Sequence, residues 1–414
     1  MKNNLKQLKN IFFASIGFML CICEAEAQQK FVSVKGREII DRNGKPLKLR
    51  GVNLGFWLEP ESYPLGWSNK VAGRHYFDLI ADIVGPDDAR KFWSDFQENF
   101  ITKDDILYAK KLGLNHVRVP FDYRLFVNEY FLGSYEPVKF KYLDKVMEWC
   151  REAGMYVVLD MHCAPGGQAG WNSDNGNLYP WLFEDNGEES RKLTIKIWKD
   201  IASRYANDTI LIGYDLLNEP IHQYCDTARL NKTLEPFYKR LVAEIRTVDP
   251  NHIMFVGGAF WNRNFNVFTK PFDSKSVYTT HLYHTNHDYS APEYFAAFSK
   301  KHNVPIWVGE FGELDVLKVD TVVRGIEKQG FGWSLWSIKK MNNNHTFLHI
   351  KKPENWDLIT NYVNGCYKNW EEKVKARPDY TLCKKALDEF IENMKFKNCT
   401  QSDYYFKTLG IVKK

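Results

Sequence analysis

Two glutamates carry the chemistry this sequence can do. Glu219 lies in Asp215-Leu216-Leu217-Asn218-Glu219-Pro220, just after the apolar run Ile210-Leu211-Ile212; Glu310 lies in Gly309-Glu310-Phe311-Gly312, just after Ile306-Trp307-Val308. Each short apolar run reads as a buried strand, so each carboxylate is expected at a strand end. A strand that simply stops in solvent would explain either glutamate alone. Two carboxylates facing one cleft could cleave a glycosidic bond: one acid protonates the departing oxygen, the other attacks or stabilises the anomeric carbon.

Neighbouring residues suggest which glutamate does which task. Arg118 is expected to hold Glu310 ionised, as suits a nucleophile, because a nearby cation favours the charged form. Glu219 must stay protonated until it donates, so its surroundings should raise its pKa. Asn218 is placed to hydrogen-bond a sugar hydroxyl beside the reacting carbon. Tyr283 is expected to donate to Glu310, His281 to sit beside Glu219, and His162 to bind another hydroxyl. Trp336 offers a flat face to a pyranose.

Eight strand candidates must position these groups: Leu47–Phe56, His116–Pro120, Tyr156–Met161, Ile210–Leu217, Ile253–Gly258, Val277–Tyr283, Ile306–Gly309 and Gly332–Ser337. Helical patterns lie between them, as in Phe140–Glu152, Glu189–Tyr205, Leu230–Val248 and Asp315–Lys328, and Leu382–Met394 follows the eighth. Gly113, Gly154, Asp249-Pro250 and Gly330 mark returns to the next strand. The alternation predicts an α/β fold, a (β/α)8 barrel in one catalytic domain, with long loops after strands one, three and eight. Near-continuous apolar strands fit a sheet buried on both faces. A doubly wound sheet is the runner-up, but no G-x-G-x-x-G turn follows the first strand. Polar and aromatic groups recur at the C-terminal strand ends, where such barrels build their sites. Strands four and seven lie roughly opposite, so their tips can face one cleft.

The termini and composition set further bounds. Lys2, Lys6 and Lys9 precede the apolar stretch Ile11–Ile22 and then Ala25-Glu26-Ala27, which reads as a signal peptide over 1–27. That stretch is too short to span a membrane. Export to the periplasm or medium is expected; a lipid anchor at Cys21 or Cys23 is the lesser alternative, given Leu20 and Ile22 before them. The catalytic domain is expected over 28–396 and a tail over 397–414, and Phe31–Leu49 reads as a hairpin-like lead-in around Asp41-Arg42-Asn43-Gly44. The net charge of +5 is small and spread out, which argues against a nucleic-acid partner. Six cysteines remain after the signal (Cys150, Cys163, Cys225, Cys366, Cys383, Cys399); export permits disulfides, and three of the six fall near the C-terminus, where a staple would fit. Their connectivity cannot be read from spacing.

Other candidates are weaker. His281, His284 and His287 with Asp288 have tempting metal spacing, but side chains on a strand running into a loop need not converge, and no metal or cofactor is expected. Trp57, Trp171, Trp181 and Trp261 follow strand ends; two of the four are expected to stack on sugar, with Trp57 and Trp171 favoured. Cys163 cannot pair with His162, because adjacent strand residues point to opposite faces. Sequons at Asn207, Asn231, Asn344 and Asn398 matter only in a glycosylating host.

The motifs together resemble glycoside hydrolase family 5, the cellulase family. They are Arg50-Gly51-Val52-Asn53, Asn115-His116-Val117-Arg118-Val119-Pro120, Leu159-Asp160-Met161-His162, Asn218-Glu219-Pro220, His281-Leu282-Tyr283, Gly309-Glu310-Phe311-Gly312 and Trp333-Ser334-Leu335-Trp336. The resemblance implies a (β/α)8 barrel and a metal-free retaining double displacement, with Glu219 as acid/base and Glu310 as nucleophile. It also implies substrate contacts from Arg118, His162, Asn218, His281, Tyr283 and Trp336. Gly51–Glu59 and Ala164-Pro165-Gly166-Gly167-Gln168 are similar to the branch with β-1,3-glucan glucosidases, although Phe56 stands where that branch usually has Gly, and Phe-Gly follows Glu310. The expectation is a secreted, monomeric β-glycosidase acting on β-glucosidic linkages. The alternatives are a hydrolase of another β-linked glycan, such as mannan, and a barrel that binds glycan without cutting it.

Overall fold

The computed structural model describes residues 31–402, except 69, 172–173, 175–176, 284–291, 314–315 and 342–344, together with 409. The signal segment, His284, His287, Asp288 and Asn344 therefore lie outside the described residues.

Eight parallel strands close into a barrel in chain order: β1 (Arg50–Asn53), β2 (His116–Asp122), β3 (Tyr156–Cys163), β4 (Leu211–Asp215), β5 (Ile253–Gly257), β6 (Ser276–Leu282), β7 (Ile306–Gly312) and β8 (Gly332–Trp336), which returns to pair with β1. This is the (β/α)8 fold. Every predicted strand is present, with ends shifted by a few residues. The predicted helices also form, as Lys141–Ala153, Glu188–Tyr205, Thr227–Arg246, Val316–Lys328 and Tyr380–Asn393.

Side-chain alternation along the strands sorts the interior into layers. On β3, Val157, Leu159 and Met161 join the outer core beneath the helices, while Val158 belongs to a cluster inside the barrel. Asp160 and His162 follow Val158 on that inner face. The lower interior is apolar: Val158, Ile212, Ile253, Phe255, Val277 and Trp307 pack together with Val32, Ile39 and Leu49 of the N-terminal lead-in. The lead-in thus plugs the lower end. Its antiparallel pair, Ser33–Lys35 with Glu38–Ile40, pivots at Gly36, where φ is +57°. The predicted turn at Asp41–Gly44 follows, closed by Asp41 N–H to Lys45 O (2.7 Å) and Gly44 N–H to Asp41 O (2.9 Å).

The long loop after β1 is itself largely helical, with Tyr76–Val84 and Pro86–Asn99. Trp57 belongs to this outer layer, contrary to the expectation that it meets sugar. It is fully buried, donates from Nε1 to Gln97 O (2.7 Å) and packs edge-on against Tyr142 (5.6 Å). The chain turns at Phe56, whose φ is +70°, and this sends Trp57 between helices rather than into the barrel mouth. Trp57→Ala is therefore expected to cost about 3–5 kcal/mol of stability by urea unfolding. Substrate KM of the folded fraction should be unchanged; a raised KM with normal stability would return Trp57 to the site.

No disulfide links the six described cysteines, so the C-terminal staple that their spacing allows does not form; Cys399 Sγ instead donates to Asn393 O and Met394 O. Chain beyond 396 stays docked at first: Thr400–Gln401 pairs antiparallel with Leu348–His349.

Candidate active site

The centre of the barrel's upper half is one guanidinium. Arg118 is fully buried on β2 and spends its donors on the upper ends of β1, β4 and β7: Asp215 Oδ2 (2.8 Å), Asn53 Oδ1 (3.0 Å), Asn218 Oδ1 (3.0 Å) and Glu310 Oε1 (2.5 Å), with Asp160 Oδ1 of β3 at 3.1 Å. Burial alone would push its pKa down, but Asp160, Asp215 and Glu310 outweigh burial and raise it. Burial in turn pushes Asp215 up to about 7 against the pull of Arg118. A planar fork with several fixed donors can hold this many acceptors; a lysine could not. Asp160 and His162 share a strand face two residues apart, and His162 Nδ1 meets Asp160 Oδ2 at 2.8 Å.

Glu310 lies near the C-terminal end of β7 and accepts from Arg118 and from the Tyr283 hydroxyl (2.7 Å). Burial and the Glu310 carboxylate push the Tyr283 pKa well up, so the phenol remains a donor. Glu219 lies past the end of β4 in a left-handed conformation (φ +46°), as does Ile221 (φ +55°). Such backbone costs about 1–2 kcal/mol per L-residue. The loop is held in place by Asn218 N–H to Met161 O (3.1 Å), Ile221 N–H to Gln168 O (2.8 Å) and His222 N–H to Ala169 O (2.9 Å). Gln168 adds a brace, donating from Nε2 to His162 O (2.6 Å) and Asn218 O (2.9 Å).

The two glutamates differ in their surroundings. Glu219 pKa is raised, by burial first, against the opposing pull of His162, Arg263 and Arg118. Its Oε1 meets His281 Nδ1 at 2.8 Å, and burial pushes His281 down to about 3, so the ring is neutral. Asn262 Nδ2 donates to His281 Nε2 (3.1 Å), which leaves the ring proton on Nδ1 for Glu219 Oε1. A proton on Glu219 is thereby directed to Oε2. Carboxylate oxygens of Glu219 and Glu310 come within 4.8 Å of one another, with His281 between.

These groups open into a cavity of about 340 Å³, lined by Glu61, Ser62, Tyr63, His162, Trp171, Glu219, Trp261, Arg263, Tyr283, Glu310, Glu313 and Trp336. Of the four loop tryptophans considered, Trp171 and Trp261 reach the cavity. Trp181 stands half exposed against Tyr179 (5.1 Å) outside it. Trp171 stacks flat on His222 (4.7 Å, 5°), and Trp261 meets the same ring edge-on (4.4 Å). Trp261 sits in three consecutive left-handed residues, Phe260, Trp261 and Asn262, which aim it inward while Asn262 reaches His281. Trp336 is fixed by Nε1–H to Tyr63 OH (2.9 Å), by stacking beside His162 (5.2 Å) and by an edge contact with Phe56 (5.1 Å). Gly55 lies so close that a Cβ there would meet the Trp336 ring at 2.7 Å.

Glu61, Tyr63, Arg263, Glu313 and Lys340 are site residues the sequence reading missed. Tyr63 donates to Glu313 Oε1 (2.7 Å), and the buried Lys340 ammonium donates to the same oxygen and to Trp336 O (3.2 Å). These bonds tie the loop after β1 to those after β7 and β8. Trp356 Nε1 to Leu65 O (2.9 Å) and Ser68 N–H to Asn364 Oδ1 (2.6 Å) add to the same wall. Two trios, Glu59–Glu61–His162 and Glu219–His281–Glu310, have ligand atoms close enough to share a cation. Both imidazoles already have their ring nitrogens engaged, His281 by Glu219 and Asn262, His162 by Asp160 and Asn218.

A (β/α)8 barrel with two carboxylates opposed at the C-terminal ends of β4 and β7 has the architecture of a glycosidase. Residues 40–342 match the family Cellulase (glycosyl hydrolase family 5), and the chain belongs to that family. Among relatives, a β-xylosidase from Phanerodontia chrysosporium is 32% identical over 68% of this chain and 61% of its own length. A glucan 1,3-β-glucosidase from Candida oleophila is 32% identical over 52% of this chain and 56% of its own. The chain thus spans somewhat over half the length of these relatives. The solved rutinosidase from Aspergillus niger superposes with a TM-score of 0.54 at 19% identity, over 72% of this chain and 91% of that one, a likeness of fold alone.

Proposed function

We propose that the protein is a secreted, retaining β-glycoside hydrolase that cleaves β-glucosidic linkages in glucans or gluco-oligosaccharides, with Glu310 as nucleophile and Glu219 as acid/base. The observation that carries this reading is the approach of the two carboxylates to within 4.8 Å. Retaining sites keep the carboxyl groups about 5–5.5 Å apart, whereas inverting ones need about 6.5–9.5 Å to admit a water. The cavity volume lies at the low end of the range of about 300–1,000 Å³ for ligand sites, and the loops around it are stitched together. Both features favour short oligosaccharides or chain ends. The names of the relatives support β-glucosidic or β-xylosidic substrates. Secretion rests on the basic, apolar and Ala-x-Ala sequence of residues 1–27, and no helix among the described residues is long and apolar enough to cross a membrane. A barrel that merely bound glycan would not need two glutamates set in opposed surroundings.

Proton NMR of the first-formed product tests the mechanism. Cleavage of a β-glycoside should release the β-anomer, followed by slow mutarotation. An α-anomer appearing first would rule out the double displacement. Parallel assays on laminarin, cellulose, mannan and an aryl β-xyloside assign the substrate.

A further inference from the structure

The loop after β5 builds a cation into the cavity wall. Its left-handed residues Phe260, Trp261 and Asn262 are each held from outside the loop. Phe260 N–H donates to Ile221 O (2.9 Å), Trp261 meets His222 edge-on (4.4 Å), and Asn262 reaches His281 (3.1 Å). Arg263 follows, with its backbone N–H on Ala259 O (3.2 Å) and Phe260 O (3.1 Å). Its guanidinium carbon stands 5.0 Å from the ring centres of both Phe260 and Trp261. Two aromatic rings therefore attract the charge to one place. The residue is 3% exposed, and it lines the cavity.

Charge is not shared evenly around that cavity. Among the described lining residues Glu61, Glu219, Glu310 and Glu313 are acidic, and Arg263 is the one Lys or Arg. Glu310 pairs with Arg118 and Glu313 with Lys340, cations that do not themselves line the cavity. Arg263 belongs instead to the side of Glu219, and each of the two feels the charge of the other. Glu219 protonates the departing oxygen, so the group that departs lies on this side. Burial pushes the Arg263 pKa down, a sign that holding this cation out of water is costly. An anion brought into the cavity would offset that cost. A guanidinium has five N–H donors, so its bonds to the protein leave others for a ligand. A carboxylate is the anion it matches best, through two parallel N–H bonds.

We propose that Arg263 is a specificity-determining residue for the leaving group: it receives the carboxylate of a hexuronic acid residue on the departing side of the scissile bond. The inference rests on the glycosidase reading and names a substrate class within it, a β-glycoside whose aglycone is an acidic sugar. The carboxylate is bound before and during bond cleavage alike, so its contribution falls on substrate affinity more than on turnover.

The test uses matched pairs of disaccharides. The glycone that the wild type cleaves fastest from a 4-nitrophenyl β-glycoside is joined to O3 or O4 of glucose, and likewise of glucuronic acid. Each pair differs only in a hydroxymethyl against a carboxylate. In at least one pair the wild-type kcat/KM should be about 10-fold or more higher on the uronate, the scale of bonds to a charged group. Arg263→Gln should lower kcat/KM on that uronate about 10- to 100-fold more than on its neutral twin, chiefly by raising KM. Arg263→Lys, which keeps the charge and loses the planar fork, should fall between. A wild type that treats both twins within twofold, favours the neutral one or cleaves neither overturns the proposal, and this reading needs no variant to fold. So does an Arg263→Gln enzyme that loses equally on both twins, the pattern of a residue that merely holds Trp261. Each of these outcomes leaves the glycosidase reading standing if aryl β-glycosides are cleaved. Failure on every aryl β-glycoside would remove that reading and this inference with it.

Discussion

Glu310→Ala is expected to lower kcat/KM on an aryl β-glycoside by about 10⁴-fold or more, the scale on which removal of a covalent nucleophile acts. The variant should still fold, because Arg118 keeps Asp215 at 2.8 Å and Asp160 at 3.1 Å, so the guanidinium is not left unpaired. The shortened side chain opens space on the face of the sugar from which Glu310 would attack. Azide bound there should attack the anomeric carbon of an activated β-glycoside in a single displacement and give the α-glycosyl azide. The readout is the anomer as well as the rate. Residual activity above about 1% of wild type, or azide product of β-configuration only, would sink the nucleophile role.

How far the sequence foretold this arrangement depends on whether a residue's place follows from periodicity. The eight strands were legible because a parallel sheet under helices demands apolar residues on its outer face, and runs such as Val157–Met161 and Val117–Phe121 supply them. Asp160 is legible in the same way: it shares the inner face with His162 by simple alternation. The helix Tyr76–Val84 shows its pattern in buried Tyr76, Phe77, Ile80, Ile83 and Val84, inside the insertion that the strand spacing alone predicts as a long loop. Strand tips brought Arg118, His162, Asn218, Glu219, His281, Tyr283, Glu310 and Trp336 to one cavity region, since each tip's place in a closed barrel is fixed by strand order.

Loop residues obey no such rule. Trp57 and Glu61 both follow β1 by a few residues, and one goes to the core while the other faces the cavity. The difference is made by left-handed backbone at Phe56, a conformation that a bulky residue seldom adopts and that its edge contacts with Tyr63 (5.3 Å) and Trp336 (5.1 Å) support. The same holds for Arg263, carried inward by the left-handed turn at 260–262. Glu313 and Lys340 find each other across two loops, a pairing that spacing does not encode. Such residues become visible only when the backbone strain and cross-loop bonds are seen together, and they define the walls that select substrate.

Glu219→Ala should separate substrates by how much their leaving group needs a proton. For an unactivated aryl or sugar leaving group, kcat/KM should fall by about 10²–10⁴-fold, the usual worth of general acid catalysis. For a 2,4-dinitrophenyl glycoside, whose leaving group departs as a stable anion, kcat/KM should hold near wild type while kcat falls, because breakdown of the glycosyl-enzyme lacks its base. Azide should restore kcat and trap the β-glycosyl azide, the anomer opposite to that expected from Glu310→Ala, since here it attacks from the face Glu219 vacated. The pH profile gives an independent sign. Glycosylation requires Glu219 protonated, and burial raises its pKa, so the acid form persists to higher pH than an ordinary glutamate near about 4.3 would allow. The alkaline limb of wild-type kcat/KM on a poor leaving group should therefore lie above the ordinary carboxyl range. On the dinitrophenyl substrate this limb should vanish in Glu219→Ala. If the limb persists unchanged in the variant, another group controls it, and the acid role must pass from Glu219 to that group.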